Sequence, residues 1–242
     1  MSTSEGPSVL RVADLRAGYG STPVLVGVNL EVGEGEVVAV LGRNGMGKTT
    51  LLRTLMGLLP ARSGSIRWKD EQEISKLATH LRARLGLGYV PQGRDIFPGL
   101  TVLENLRLGG MASGRDGSKR LQDVLELFPM LSEKLTARGA TLSGGQQQLL
   151  ALARALVSGP KILLLDEPSE GIQPSILEQI VERIRTINKQ EGIAVLLVEQ
   201  NLQFAAAVAE RAYVMNKGAV VRELPIARIV EDPEIQREYM GV

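Results

Sequence analysis

Gly42-Arg43-Asn44-Gly45-Met46-Gly47-Lys48-Thr49 follows the apolar run Val37-Val38-Ala39-Val40-Leu41 and leads directly into Thr50-Leu51-Leu52-Arg53-Thr54-Leu55. A strand, a glycine-rich loop and a helix in that order turn backbone N–H groups and a helix N-terminus onto one anion. Each residue type in the pattern G-x-x-x-x-G-K-T has its own reason. Gly42, Gly45 and Gly47 let the backbone take positive φ and approach phosphate oxygens with no Cβ in the way. Lys48 is expected to reach the β- and γ-phosphates as a point charge, and the Thr49 hydroxyl to ligate the Mg²⁺ that bridges them. The plain alternative is a glycine-rich turn with a surface lysine, and the flanking strand and helix argue against it. The stretch reads as a phosphate cradle in an α/β fold.

A second continuously apolar run, Ile162-Leu163-Leu164-Leu165, ends in Asp166-Glu167-Pro168. Such runs suit central parallel strands, and open α/β sheets place their ligands at the C-terminal ends of those strands. Two adjacent acids there can divide the work: Asp166 supports Mg²⁺ through its water shell, and Glu167 orients or deprotonates the attacking water. Successive side chains of an extended strand point to opposite faces, so this division requires the strand to be ending. Leu142-Ser143-Gly144-Gly145-Gln146 precedes a helix expected over 147–157, with Ser143 as N-cap and two glycines leaving the helix-start N–H groups open. Leu87-Gly88-Tyr89-Val90-Pro91 reads as a strand that delivers Gln92 into a loop.

Elsewhere Val9–Val12 reads as a short strand and Ala17-Gly18-Tyr19-Gly20 as a turn before the strand Val28–Val32. Pro60 is expected to end the first helix, since proline cannot continue one. Ser63–Asp70 reads as turn and strand, with Trp68 packed in a small antiparallel β region. Ile74, Leu77, Ala78, Leu81 and Leu85 recur at helical spacing and place His80, the single histidine, on an amphipathic helix. Thr101 with Glu104 forms a capping box ahead of Val102. Ala112–Ser118 is a polar patch before a helix carrying Leu121, Val124, Leu125, Leu127 and Phe128. Helices are therefore expected to form a lobe over about residues 88–140, inserted in one α/β cassette spanning 1–242. Ser175–Gln190 reads as a helix and Ile193–Val198 as a buried strand running into Glu199-Gln200-Asn201. Residues 211–222 read as a hairpin, and the tail from Pro225 as short surface helices.

Composition narrows the functions without choosing one. Lys plus Arg (28) nearly cancels Asp plus Glu (27) in 242 residues, so no basic excess argues for a nucleic-acid partner. With no cysteine and one histidine, disulfides, thiolate metal sites and histidine-based catalysis have little to draw on. No apolar run approaches the roughly 20 residues that span a bilayer. Met1–Pro7 lacks the basic start and apolar centre of a signal peptide.

Taken together, these motifs resemble the ATP-binding cassette ATPases over nearly the whole chain. Gly42–Thr49 with Thr50 matches the Walker A loop, including Arg43, Asn44 and Met46 at its variable positions. Gln92 matches the Q-loop glutamine, Ser143, Gly144, Gly145 and Gln146 the signature motif, and Ile162–Asp166 with Glu167 the Walker B strand and catalytic glutamate. The resemblance implies a P-loop NTPase core with a small antiparallel β subdomain and an inserted helical lobe, binding ATP and Mg²⁺. It puts Tyr19 on adenine, Thr49, Gln92 and Asp166 around Mg²⁺, and Glu167, Gln92 and Gln200 at the reacting phosphate. It also implies a head-to-tail dimer, homomeric or heteromeric, in which the signature of one chain completes the γ-phosphate site of the other. Segments 90–98, 167–174 and 197–201 resemble the ATPases of importers for branched-chain amino acids, urea and short-chain amides, and Glu170-Gly171-Ile172-Gln173-Pro174 is most similar to the urea type. Such subunits sit on the cytoplasmic face of the bacterial inner membrane, with two membrane permease subunits and, indirectly, a periplasmic solute-binding protein. Lipopolysaccharide-export ATPases share a similar C-terminal third, and soluble cassette regulators are a further alternative. Gln200 stands where most cassettes have a histidine, and Gln173 where most have an aspartate.

Overall fold

The structure is a computed structural model that describes residues 7–111 and 118–240. Residues 1–6, and 112–117 of the polar patch anticipated at 112–118, lie outside the described residues. The chain opens with a hairpin of two long strands, β1 (Ser8–Tyr19) and β2 (Thr22–Gly33), followed by β3 (Val37–Leu41) and helix α1 (Lys48–Met56). Then come β4 (Ser63–Trp68), β5 (Gln72–Glu73), α2 (Thr79–Leu85) and β6 (Leu87–Val90). A helical stretch follows: α3 (Val102–Met111), α4 (Ser118–Leu127), α5 (Pro129–Ser132) and α6 (Gly144–Val157). The chain returns through β7 (Ile162–Asp166), α7 (Pro174–Glu191), β8 (Ala194–Glu199), α8 (Leu202–Val208), β9 (Arg211–Asn216), β10 (Ala219–Pro225) and α9 (Ile226–Glu231).

Among the described residues the strands form two sheets, an antiparallel one of order β2-β1-β4-β5 and a larger one of order β10-β9-β3-β8-β7-β6. From β9 to β6 the larger sheet is parallel throughout. Its runs are continuously apolar because both faces are covered. Val38, Val40, Leu164, Leu196 and Val198 share a core with α1 and the antiparallel sheet. The alternate residues Ala39, Leu41, Leu163, Leu165, Val195 and Leu197 share a second core with the helices of the other face. The helices α3 and α4 pack on α6, which in turn packs on β6, and residues 88–90 of the expected helical lobe are strand, because they belong to β6.

Several boundaries differ from the sequence expectations, each for a local reason. The first hairpin turns only at Gly20 and Ser21, so Ala17 to Tyr19 is strand. Gly57, in the left-handed conformation at φ 76°, ends α1 before Pro60 is reached, and its N–H caps the carbonyls of Arg53 and Thr54. Ile74 lies outside α2 and is held against β4 by its N–H to the Ile66 carbonyl. The helix after the signature starts at Gly144, because Ser143 and Gln146 form a reciprocal capping box. The capping box of Thr101 with Glu104 is present as read. The tail is only partly a surface feature, since Ile226, Ile229 and Tyr239 are buried in the helical-face core.

α1 is fixed at its C-terminal end by Arg82, which is 1% exposed. Its guanidinium donates to the carbonyls of Thr54 and Leu55 at 2.8 and 2.7 Å, and to those of Ser75 and Leu77 at 2.7 and 2.9 Å. A cation suits the negative end of a helix, where few N–H groups remain to meet the last carbonyls. Arg82→Met should lower stability by about 3 kcal/mol, since it strands buried carbonyls in one step. Urea denaturation checks this as a lower midpoint at unchanged slope, and a midpoint equal to the parent's would contradict it.

Candidate functional site

Four neighbouring strands of the parallel sheet end at one edge, in the order β3, β8, β7, β6, with Leu41 beside Glu199, Val198 beside Asp166, and Leu165 beside Val90. The loops leaving those ends carry the glycine cradle, Gln200, Glu167 and Gln92. A cavity of about 290 Å³ opens there, walled by Val24, Asn44, Gly45, Gly47, Lys48, Thr49, Thr50, Gln92 and Glu167. Gly45 and Gly47 take φ of 81° and 102°, as the cradle requires. Gly42 does not share their left-handed backbone and is needed for closeness: a Cβ there would lie 2.5 Å from the Met215 carbonyl oxygen of β9. No side chain caps α1, so its first-turn N–H groups remain available to an anion.

Lys48 is 4% exposed, and its ammonium donates to the carbonyls of Gly42 and Arg43 at 2.8 and 3.2 Å. Its third partner is Glu167 Oε1 at 2.9 Å. An ammonium has three N–H bonds, and all three are used. Glu167 reaches this point because β7 ends at Asp166 and Glu167 itself takes φ 46°, a left-handed conformation unusual for a glutamate. That turn puts Glu167 in the cavity wall, while Asp166 lies buried behind it against Thr49. Asp166 Oδ1 accepts from Thr49 Oγ1 at 3.0 Å and Oδ2 from the Tyr89 hydroxyl at 3.2 Å. Burial pushes the Asp166 carboxyl above its ordinary value, against the opposing pull of those two hydrogen bonds. A hydroxyl and a carboxylate in contact at a phosphate cradle are hard oxygen donors of the kind Mg²⁺ takes, with few protein ligands. Gln92 Nε2 donates to Glu170 Oε2 at 2.9 Å.

The remaining anticipated residues are placed elsewhere. Met46 turns toward the β9–β10 turn, where its sulfur accepts from the Lys217 N–H at 3.3 Å and its carbonyl from Gly218 at 3.0 Å. Tyr19, 44% exposed, has the Arg53 guanidinium 6.0 Å from its ring centroid and is not part of the cavity wall. Gln200, just past β8, and Ser143, Gly144, Gly145 and Gln146, at the head of α6, also lie outside that wall. A larger groove of about 630 Å³ between α7 and α8 contains none of the phosphate-loop residues. Tyr89, Glu170 and Glu199 were missed by the motif reading. Tyr89 was within reach of a period-two reading of β6, which puts Leu87 and Tyr89 on the same face as α1.

Residues 25–170 match the family model described as ABC transporter. The chain belongs to the ABC transporter family. It is an ATPase of that family, with the α/β P-loop fold its motifs implied. It is 45% identical over 224 residues to the high-affinity branched-chain amino acid transport ATP-binding protein BraG of Pseudomonas aeruginosa, covering 92% of this chain and 95% of that protein. It is 34% identical over 241 residues to the lipopolysaccharide export system ATP-binding protein LptB of Escherichia coli K12, covering 97% and 98%. Among solved structures, a dimeric post-hydrolysis state of the ATP-binding cassette MJ0796 bound to ADP and Pi matches with a TM-score of 0.80 at 27% identity, covering 90% of this chain and 98% of that one.

Lys48→Ala should weaken ATP binding by at least about tenfold, because the triphosphate then meets a cavity without its central cation. Direct titration of the purified chain measures this, and an affinity equal to the parent's would remove the cradle assignment.

Proposed function

We propose that this chain is the ATP-hydrolysing subunit of an importer for branched-chain amino acids, urea or short-chain amides. The observation that carries the catalytic part is the convergence of Lys48, Glu167, Gln92 and Thr49 on one cavity, with Asp166 bonded to Thr49 behind its wall. An incoming triphosphate competes for Lys48. The carbonyls of Gly42 and Arg43 are fixed in the backbone, so Glu167 is the partner that gives way. Released from the ammonium, its carboxylate can accept a proton from the attacking water. Thr49 and Asp166, with Gln92 once it leaves Glu170, would hold Mg²⁺, which supplies charge neutralisation at the phosphates. Tyr19 offers its exposed face to the adenine ring. Gln200 can donate a hydrogen bond to the γ-phosphate without titrating.

Ser143, Gly144, Gly145 and Gln146 lie off the cavity wall of their own chain, which fits a role at the partner's nucleotide in a head-to-tail dimer. The solved relative MJ0796 is dimeric, which supports a dimer here. The helical lobe, entered through Gln92, faces the permease subunits at the cytoplasmic side of the inner membrane. The described residues contain no helix long and apolar enough to cross a membrane. BraG at 45% favours import and branched-chain amino acids, while LptB at 34% keeps export as the second reading. The likeness of Glu170–Pro174 to the urea type keeps urea among the solutes. Co-purification from membranes, followed by binding of leucine, urea and amides to a co-purified periplasmic receptor, separates these; a lipopolysaccharide-binding assembly would overturn import.

Glu167→Gln should hold ATP within about threefold of the parent's affinity while hydrolysis falls by roughly a hundredfold or more, the usual contribution of a general base. Steady-state turnover and nucleotide titration on the assembled complex test this. Parent-like turnover would show that Glu167 is not the base.

A further inference from the structure

Glu199 is a carboxylate that this reaction does not use, yet it is only 2% exposed. Among the described residues it has no ion-pair partner, and burial pushes its carboxyl above the ordinary value. The Ser169 hydroxyl and backbone N–H groups take the place of a cation. Oε1 accepts from the Ser169 N–H at 3.0 Å, and Oε2 accepts from both Gln200 and Asn201 at 3.1 Å. Its own carbonyl accepts from the N–H of Gly42, the first residue of the phosphate loop, at 3.4 Å. One residue at the end of β8 is therefore bonded to all three loops that leave β3, β7 and β8.

The chemistry requires an acceptor-only group. Three N–H donors face two oxygens; an amide would present one of them with a donor, and an apolar side chain would strand all three. The loop being held is a strained one. Glu167 keeps its positive φ only while its surroundings over-determine it. Its N–H is fixed on the Val198 carbonyl at 3.0 Å and its carbonyl on the Glu170 N–H at 3.1 Å. The bond from Ser169 to Glu199 is the tether in this turn that is made by a side chain from another strand.

We infer that Glu199 is a positioning residue for hydrolysis, clasping Ser169 on one side and Gln200 and Asn201 on the other so that the loops carrying Glu167 and Gln200 are held in register at the sheet edge. This rests on the assignment of Glu167 as the base. Glu199 is buried and is not part of the cavity wall; it acts through the backbone of its neighbours. A shift of about 1 Å in a reacting group is enough to lower turnover a hundredfold.

Glu199→Gln keeps the shape and exchanges one acceptor for a donor. In the full chain assembled with its membrane partners, its kcat should fall by about tenfold to a hundredfold, with KM and ATP affinity within about threefold of the parent. Parent-like kcat, or a loss carried by KM and affinity, would overturn the inference. Glu167→Gln is run beside it: if that variant is inactive and Glu199→Gln is parent-like, only the clasp fails, whereas a parent-like Glu167→Gln removes the base assignment itself. Should Glu199→Gln not fold, amide hydrogen exchange on the unmodified chain decides. The amides of Ser169, Gln200 and Asn201 should exchange far more slowly than free loop amides, and exchange at the free-loop rate would overturn the clasp.

Discussion

The charge on Lys48 is the constraint from which the site follows. A buried ammonium must have all of its N–H bonds satisfied or be displaced toward water. Here the loop supplies two carbonyls, and the third acceptor is the carboxylate of Glu167. The same ion pair therefore neutralises the cradle and, on the function proposed above, keeps the base occupied until phosphate arrives. Removing one partner of such a pair leaves the other charge uncompensated. Gln92 and Thr49 likewise have protein partners, donating to Glu170 and Asp166.

That arrangement depends on where the sheet ends. With β8 lying between β3 and β7, the loops bearing the cradle and the acids face each other across a single strand. Both faces of the sheet are packed, so the strands cannot slide without moving a core. α1 is pinned at its far end by Arg82, which leaves its N-terminus to hold Lys48 and Thr49 at the cavity. Rigid elements surround the cavity, and one of the non-glycine residues held at positive φ, Glu167, lies in its wall.

The cradle, the acids at the end of β7 and the Thr101 capping box were legible because each depends on residues close in sequence. A glycine loop, an apolar run ending in carboxylates and a T-x-x-E pattern carry their own local physics. Lys48 with Glu167, Tyr89 with Asp166 and Glu199 with Ser169 were not legible, because those partners lie on separate strands and meet only when the sheet forms. Gly42 shows the same limit at one position. Its loop context suggested positive φ, and the reason proved to be the Met215 carbonyl of a strand far along the chain. The helix ends at Gly57 and Gly144 were misplaced by a few residues, as capping choices among nearby glycines and prolines are decided by geometry.

The exchange of partners at Lys48 is best tested by an experimental structure of the unmodified chain with Mg²⁺ and a non-hydrolysable ATP analogue. Lys48 Nζ is expected within hydrogen-bond distance of the β- and γ-phosphate oxygens, with the Glu167 carboxylate no longer bonded to it and turned toward the space beyond the γ-phosphate. A nucleotide bound with the Lys48–Glu167 pair intact, or bound away from the Gly42–Thr49 loop, would contradict it.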